Sequence, residues 1–287
     1  MRRLMVHADG YGFAPGINRA IEDVLPAGFV RGVSINANFP AVRDVTGLSR
    51  RFPRLSLGIH LNLSVGRPVS NPREVPSLVN GAGEFWYREF PRRALLGRIK
   101  ARDVEREIDA QIARLQGLGI TLSHWDSHRG DHIYPPYLWV AMRCARRAGI
   151  PAMRTHRYHV VTRGRWPALG RALDRIRRPR PLVTWPVRKA VSQLGREWGF
   201  RTADRAVFFE SRPGRGPDRL DSWLHLLDAL PRGTSEVWCH PGYPDATLRR
   251  YSTLLDQRVG EARALASAEL VRCAGRCGVA LIGSAEL

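Results

Sequence analysis

Residues 3–21 read Arg3-Leu4-Met5-Val6-His7-Ala8-Asp9, then Gly10-Tyr11-Gly12-Phe13-Ala14, then Pro15-Gly16-Ile17-Asn18-Arg19-Ala20-Ile21. The first run is a short apolar strand that ends in a carboxylate, and the second is a turn. Pro15 suits the first turn of a helix, because its φ is already helical and its missing N–H would have no partner there. Ile17, Ile21, Val24 and Leu25 carry the helical stripe on until Pro26 and Gly28 stop it. The same order repeats downstream. A strand over Gly32–Ala37 leads through Asn38-Phe39-Pro40 into a helix over 41–50, and Leu55–Leu63 forms a third strand in which His60 and Asn62 alternate with apolar neighbours. Three strand–helix alternations within the first 65 residues predict a parallel sheet or a β/α barrel.

Farther on, prolines and glycines punctuate residues 66–100, which read as an excursion over a mouth. Val104, Ile108, Ile112 and Leu115 mark an amphipathic helix ended by Gly117 and Gly119. A strand over 121–126 and a helix over 137–148 follow. Between Arg154 and Arg219 the pattern degrades into basic, proline-broken stretches such as Arg163–Pro167 and Arg175–Arg180, so 155–218 reads as an Arg-rich surface insertion. Alternation resumes with a helix over 219–230, the strand Ser235–His240, a helix over roughly 252–275 and a last strand, Gly278–Ile282. No internal repeat or domain boundary interrupts residues 1–287, which read as a single domain.

Composition narrows the function class. A hydrophobic fraction of 44% and a charged fraction of 25% are ordinary for a globular protein. No apolar run approaches the ~20 residues of a membrane span, and the N-terminus enters a strand with no signal-peptide pattern, so a cytoplasmic location is expected. The net charge of +20 comes almost wholly from arginine, with Lys100 and Lys189 the only lysines. Those arginines are scattered and accompany no nucleic-acid module, so no nucleic-acid partner is expected. Oligomeric state is left open, a homo-oligomer included. The four cysteines form no disulfide framework; Cys273 and Cys277, four apart on one helix face, read as packed thiols.

The chemistry concentrates in Ser123–His132, Ser-His-Trp-Asp-Ser-His-Arg-Gly-Asp-His, with three imidazoles and two carboxylates in ten residues. On a strand, alternation sends His124 and Asp126 to the face opposite Trp125, and His128 falls just past the strand's end. Asp9, His60, Asp126/His128 and His240 all end apolar strands. Strand C-termini converge on one face of a β/α barrel, so these groups are expected to meet there. Two imidazoles and a carboxylate suit a hydrolytic metal shell, with water as the attacking group.

Several segments together resemble the YdjC-like carbohydrate deacetylases. They are His7–Ile21, Gly58–Leu63 (Gly-Ile-His-Leu-Asn-Leu), Gly66–Val69, Val75–Val79, His124–His128 (His-Trp-Asp-Ser-His) and Glu236–Gly242 (Glu-Val-Trp-Cys-His-Pro-Gly). The resemblance implies a distorted, TIM-like β/α barrel that removes an N-acetyl group from an amino sugar with one divalent metal ion, Mg or Zn. It implies His60, His128 and Asp9 as metal ligands. Asp9 would also serve as general base and His240 as the acid that protonates the departing amine. Asp126, His124, Asp131 and His132 would support them, and Arg67, Asn62, Trp86 and Tyr11 are candidate sugar contacts.

One position departs from the family. Gly10 stands where an aspartate is expected to bind the metal. Three outcomes are consistent with that change: Asp9 takes over as ligand, Asp131 reaches the site, or the metal is weak and the protein is a degenerate carbohydrate- or partner-binding relative. Asp9, His60, His128 and His240 favour an enzyme, since a binding protein needs neither base nor acid.

Overall fold

The computed structural model describes residues 1–161, 180–209 and 216–287. Its strands are β1 (Arg2–Tyr11), β2 (Gly32–Ile35), β3 (Ser56–Leu61), β4 (His124–Ser127), β5 (Ala152–Met153), β6 (Tyr158–Val160), β7 (Arg205–Phe208), β8 (Gly233–Cys239) and β9 (Val279–Ile282). All their pairings are parallel. They run in the order β5-β4-β3-β2-β1-β8-β7-β6, with β9 also paired to β1. Parallel strands need crossovers, and most are helical: α1 (Pro15–Val24), α2 (Val45–Arg51), α4 (Ala101–Gly117) after the short α3 (Phe90–Leu95), α5 (Pro135–Arg147), α6 (Arg180–Glu197) and α7 (Leu220–Asp228). Helices α8 (Ala246–Tyr251), α9 (Asp256–Leu265) and α10 (Glu269–Arg276) precede β9.

The sheet must curl. Its two ends, β5 and β6, are consecutive in sequence, and from Met153 to Tyr158 the chain takes only five steps, which span at most roughly 18 Å. The intervening segment itself bridges the edges. Arg154 N donates to Trp125 O of β4 at 3.1 Å, and Ala206 N of β7 donates to Arg157 O at 2.8 Å. Of the parallel sheet or β/α barrel that the alternation allowed, the result is the distorted barrel that the family resemblance implies.

Inside the curl, residues two apart on each strand stack in layers. His7 and His124 form one layer, their rings stacked 4.4 Å apart. Gly32 and Gly58 make room for them: a Cβ on either would come within 2.4 Å of a histidine ring atom. Asp9, Ser34, His60 and Asp126 form the layer above, toward the strand C-termini.

The loop over 66–100 is more than a cover. Val75, Leu78, Phe85 and Phe90 are buried with the core. The expected stripe of α4 is buried too, but the helix also buries Asp103, Glu107 and Gln111. These hold the loop by its backbone: Glu107 accepts from Val69 N and Ser70 N, both at 2.9 Å, and Asp103 accepts from Ser77 N at 2.9 Å. The Arg-rich stretch from 155 to 218 is only partly an excursion. Its described parts supply β6, β7 and α6, while Arg163–Pro167 and Arg175–Pro179 lie outside the described residues. The single helix expected over 252–275 is two, separated at Ala266-Ser267-Ala268, where the Ser267 hydroxyl accepts from Glu269 N at 3.3 Å. Among the described residues no helix is long and apolar enough to cross a membrane.

Candidate active site

A cavity of about 590 Å³ opens at the C-terminal ends of the strands, lined by Asp9, Gly10, Asn36, His60, His128 and His240 among others. Residues from the ends of β1, β3 and β8 and the turns after β2 and β4 thus meet, as barrel geometry requires. At the centre lies a side chain that strand-end reasoning passed over. The buried Arg154 donates from Nη1 to Asp9 Oδ2 and from Nη2 to Asp9 Oδ1, both at 2.6 Å. The same guanidinium pairs with Asp126 Oδ2 and, through Nε at 3.3 Å, with Glu236 Oε1. Trp238 covers it, with the guanidinium carbon 4.6 Å from the ring centre. A planar fork of five donors suits such a cluster, where a lysine would offer only a point charge.

Asp126 organises the next shell. Its Oδ1 lies 2.6 Å from His60 Nδ1, and its Oδ2 accepts from the Ser34 hydroxyl at 2.9 Å. Burial alone would raise the Asp126 pKa, but Arg154 and His60 hold it well below the usual carboxylate range. An ionised carboxylate only accepts, so Nδ1 of His60 carries the hydrogen, and neutral His60 presents its lone pair at Nε2. Burial disfavours charge on His60, yet Asp126 and Asp9 outweigh it and hold the pKa above the ordinary value. His128 stands edge-on to His60, ring centres 5.6 Å apart. Burial, then the neighbouring His60, Arg129, His240 and Arg258, push its pKa well down, so it is neutral. His240 Nε2 lies 4.0 Å from Asp9 Oδ2. Burial lowers its pKa to about 4, with Arg258, His60 and Arg154 adding to the effect and Asp9 opposing it.

These donors fit a divalent ion. One ligand atom each from Asp9, His60 and Asp126 lies within 4.8 Å of the others. Both carboxylates are nonetheless engaged by Arg154, whose charge competes with any cation bound between them. The neutral imidazole of His128 meets no such competition, and at His60 Nε2 an incoming cation displaces only a proton.

Over residues 3–274 the sequence matches the family model described as YdjC-like protein. The chain belongs to the YdjC-like family. A carbohydrate deacetylase of Geobacillus stearothermophilus is 34% identical over 284 residues, covering 98% of this chain and 96% of that protein. A carbohydrate deacetylase of Mus musculus is 31% identical over 254 residues, 84% of this chain and 78% of that protein. The fold is shared with a crystal structure of a putative cellobiose-phosphate cleavage protein from Enterococcus faecalis, at a TM-score of 0.77 and 24% identity, covering 99% of this chain and 98% of that one.

Other expected site residues of this YdjC-like chain fall elsewhere. His124 lies a layer below the cavity, between Ser34 Oγ at 3.1 Å and Ser123 Oγ at 2.9 Å. The carboxylate of Asp131 does not line the cavity; its Oδ2 accepts from Ser64 Oγ at 2.6 Å and Leu63 N at 3.3 Å, pinning the turn after β3. His132 does line it, within 3.0 Å of His156 Nε2.

The four candidate sugar contacts have partners within the fold. Tyr11 is buried and donates to Glu22 Oε1 at 2.8 Å. The Asn62 amide braces its own turn, accepting from Ser64 N and Val65 N and donating to Val65 O and Asn38 Oδ1. Arg67 donates to Ala82 O at 2.9 Å, and Trp86 donates to Ser77 O at 3.1 Å beneath the Arg93 guanidinium. Tyr11 thus ties β1 to α1, Asn62 braces the turn after β3 against Asn38, and Arg67 and Trp86 close the 66–100 loop on itself. The aromatic groups that do line the cavity are Phe13, Tyr87, Tyr158, Trp238 and Tyr251, with Arg88 and Arg129 beside them. Arg154 carried one usable signal: it directly follows the short strand Ala152-Met153, placing a cation where other strands end in acids.

Proposed function

We propose that this YdjC-like protein is a carbohydrate N-deacetylase that hydrolyses the N-acetyl amide of an amino sugar with the help of a divalent cation. The observation that carries this reading is the convergence of Asp9, His60, His128 and His240 on one cavity rimmed by aromatic rings. The names of its relatives agree with it. His60 and His128 would hold the cation, which when bound polarises the amide carbonyl and favours ionisation of water.

The remaining roles belong to the chain itself. Asp126 fixes the His60 ring through Nδ1 and so directs Nε2 to the cavity. Arg154 holds Asp9 by both oxygens, which makes Asp9 a fixed counter-ion beside His240 rather than a free proton carrier. His240, neutral at rest, takes the proton from the attacking water. The hydroxyl joins the carbonyl carbon, the C–N bond breaks, and the imidazolium returns its proton to the amine, releasing acetate and a free amino sugar. Asp9 stabilises that imidazolium at a distance of 4.0 Å. The general-acid role expected of His240 therefore begins with proton capture. Tyr87, Tyr251 and Trp238 offer flat faces for sugar rings.

The test is add-back. Protein stripped of metal is expected to release amine from N-acetylglucosamine oligomers only after a divalent ion is supplied. Failure with Zn2+, Mg2+, Co2+ and Mn2+ across several N-acetylated sugars would leave the binding-protein alternative.

A further inference from the structure

Among the described residues, one side-chain carbonyl oxygen in the cavity wall lacks a hydrogen-bond partner. Asn36, just past the end of β2, is fully buried. Its Nδ2 donates to His60 O at 3.1 Å, and this bond sets which way the amide faces. Its Oδ1 is buried with no hydrogen-bond partner among the described residues, and Asn36 lines the same cavity as His60 and His128. A buried carbonyl oxygen without a partner carries its desolvation cost uncompensated, so such an atom calls for a ligand. Gly10 lies alongside. A Cβ built there would have Asn36 Oδ1 as its nearest neighbour, at 3.8 Å. The unpartnered oxygen thus borders the space that a side chain at position 10 would enter.

We infer that Asn36 Oδ1 joins the ring nitrogens of His60 and His128 in a charge-neutral donor set for a divalent transition-metal ion, in place of the carboxylate that Gly10 does not supply. The inference rests on the metal-assisted reading above and goes further, naming a ligand and a metal class. Asp9 and Asp126 cannot take this role without giving up Arg154. Two imidazoles and one amide oxygen, with no free carboxylate, suit Zn2+ or Co2+. Mg2+ prefers oxygen donors and usually binds through carboxylates.

The experiment titrates the full-length metal-free protein with Zn2+ in competition with a chromophoric chelator, and with Co2+ followed by its visible spectrum. Wild type, Asn36→Leu, Asn36→Asp and His128→Ala are compared, with circular dichroism confirming the fold. Wild type is expected to take up one equivalent of Zn2+ with no competition from equal Mg2+. Asn36→Leu should weaken uptake at least about tenfold, since even outer-shell changes cost that much, and should alter the Co2+ spectrum. Asn36→Asp loses the bond to His60 O but keeps a charged oxygen, so it should bind more tightly than wild type. Weakening in both Asn36 variants would mean that Asn36 merely braces His60, which overturns the inference. Wild-type affinity and spectrum in Asn36→Leu would overturn it as well, with the metal-dependent reading still standing. Wild type that takes up no metal would end both, and His128→Ala identifies the site by losing uptake.

Discussion

Arg154 grips Asp9 with two parallel hydrogen bonds of 2.6 Å each, across 145 residues of chain. One end of that pair closes β1, and the other sits in the segment that joins the two edges of the curled sheet. The bond therefore ties barrel closure to the geometry of the site.

Removing the guanidinium strands three buried carboxylates: Asp9, Asp126 and Glu236. Breaking a buried ion network by deleting one partner typically costs about 3–5 kcal/mol. Arg154→Met is expected to lose stability on that scale in urea titration. Arg154→Lys should recover little of it, because an ammonium cannot span Asp9, Asp126 and Glu236 together. Near-wild-type stability for Arg154→Lys would mean that charge alone, without the fork, holds the cluster.

On the proposed mechanism, His240 should set the acidic boundary of turnover. With its pKa lowered to about 4, it is a neutral proton acceptor at every pH well above that value and becomes charged only below it. Whatever the other groups contribute, His240 should add an acidic limb near pH 4 to kcat/KM, and none between pH 5 and 8. His240→Asn should lower kcat by about 10²–10⁴-fold and delete that limb from the residual activity. A pH profile unchanged in shape would remove His240 from proton transfer.

Glu261 makes stability depend on pH in the opposite sense to a salt-bridged acid. It is buried, its Oε2 accepts from His240 N, and burial raises its pKa to about 7. The folded state therefore keeps its proton after the unfolded chain has lost it, so stability falls as pH rises from about 4.5 to about 7. Asp131, raised by burial to about 6, adds to the same slope. Glu261→Gln keeps an acceptor for His240 N without the proton, and should recover up to roughly 3 kcal/mol at pH 8. Denaturation midpoints measured from pH 4 to 8 check this; an unaltered slope in the variant would acquit Glu261.

Gly10 is held by its backbone, not by crowding. Its φ is +101°, at the point where the β1–β2 register shifts between Asp9 and Tyr11, while its missing side chain would meet nothing closer than 3.8 Å. Gly10→Ala should cost about 1–3 kcal/mol through that left-handed conformation alone. Gly10→Asp should show the same penalty even if it tightens metal binding, so the two effects need separate assays, unfolding and metal titration. No loss of stability in Gly10→Ala would show that the bulge relaxes freely.

Local pattern determined much of this protein. The strand–helix alternation of residues 3–63, the polar groups closing each strand and the stripe of α4 are all encoded within a few residues, because side-chain period and turn chemistry act at short range. That was enough to bring Asp9, His60, His128 and His240 to one place. The partners of those groups were not legible there. Arg154 is one of 46 basic residues, and nothing near it announces three acids from β1, β4 and β8. Asn36 reads as an ordinary residue of the second strand until its oxygen is seen to lack a hydrogen-bond partner among the described residues. Arg67, Asn62, Trp86 and Tyr11 have the chemistry to meet a sugar but are taken up by nearby backbone and side chains. Which donors stay free in the cavity depends on how the sheet's edges meet and where loops fold back, and only long-range packing decides that.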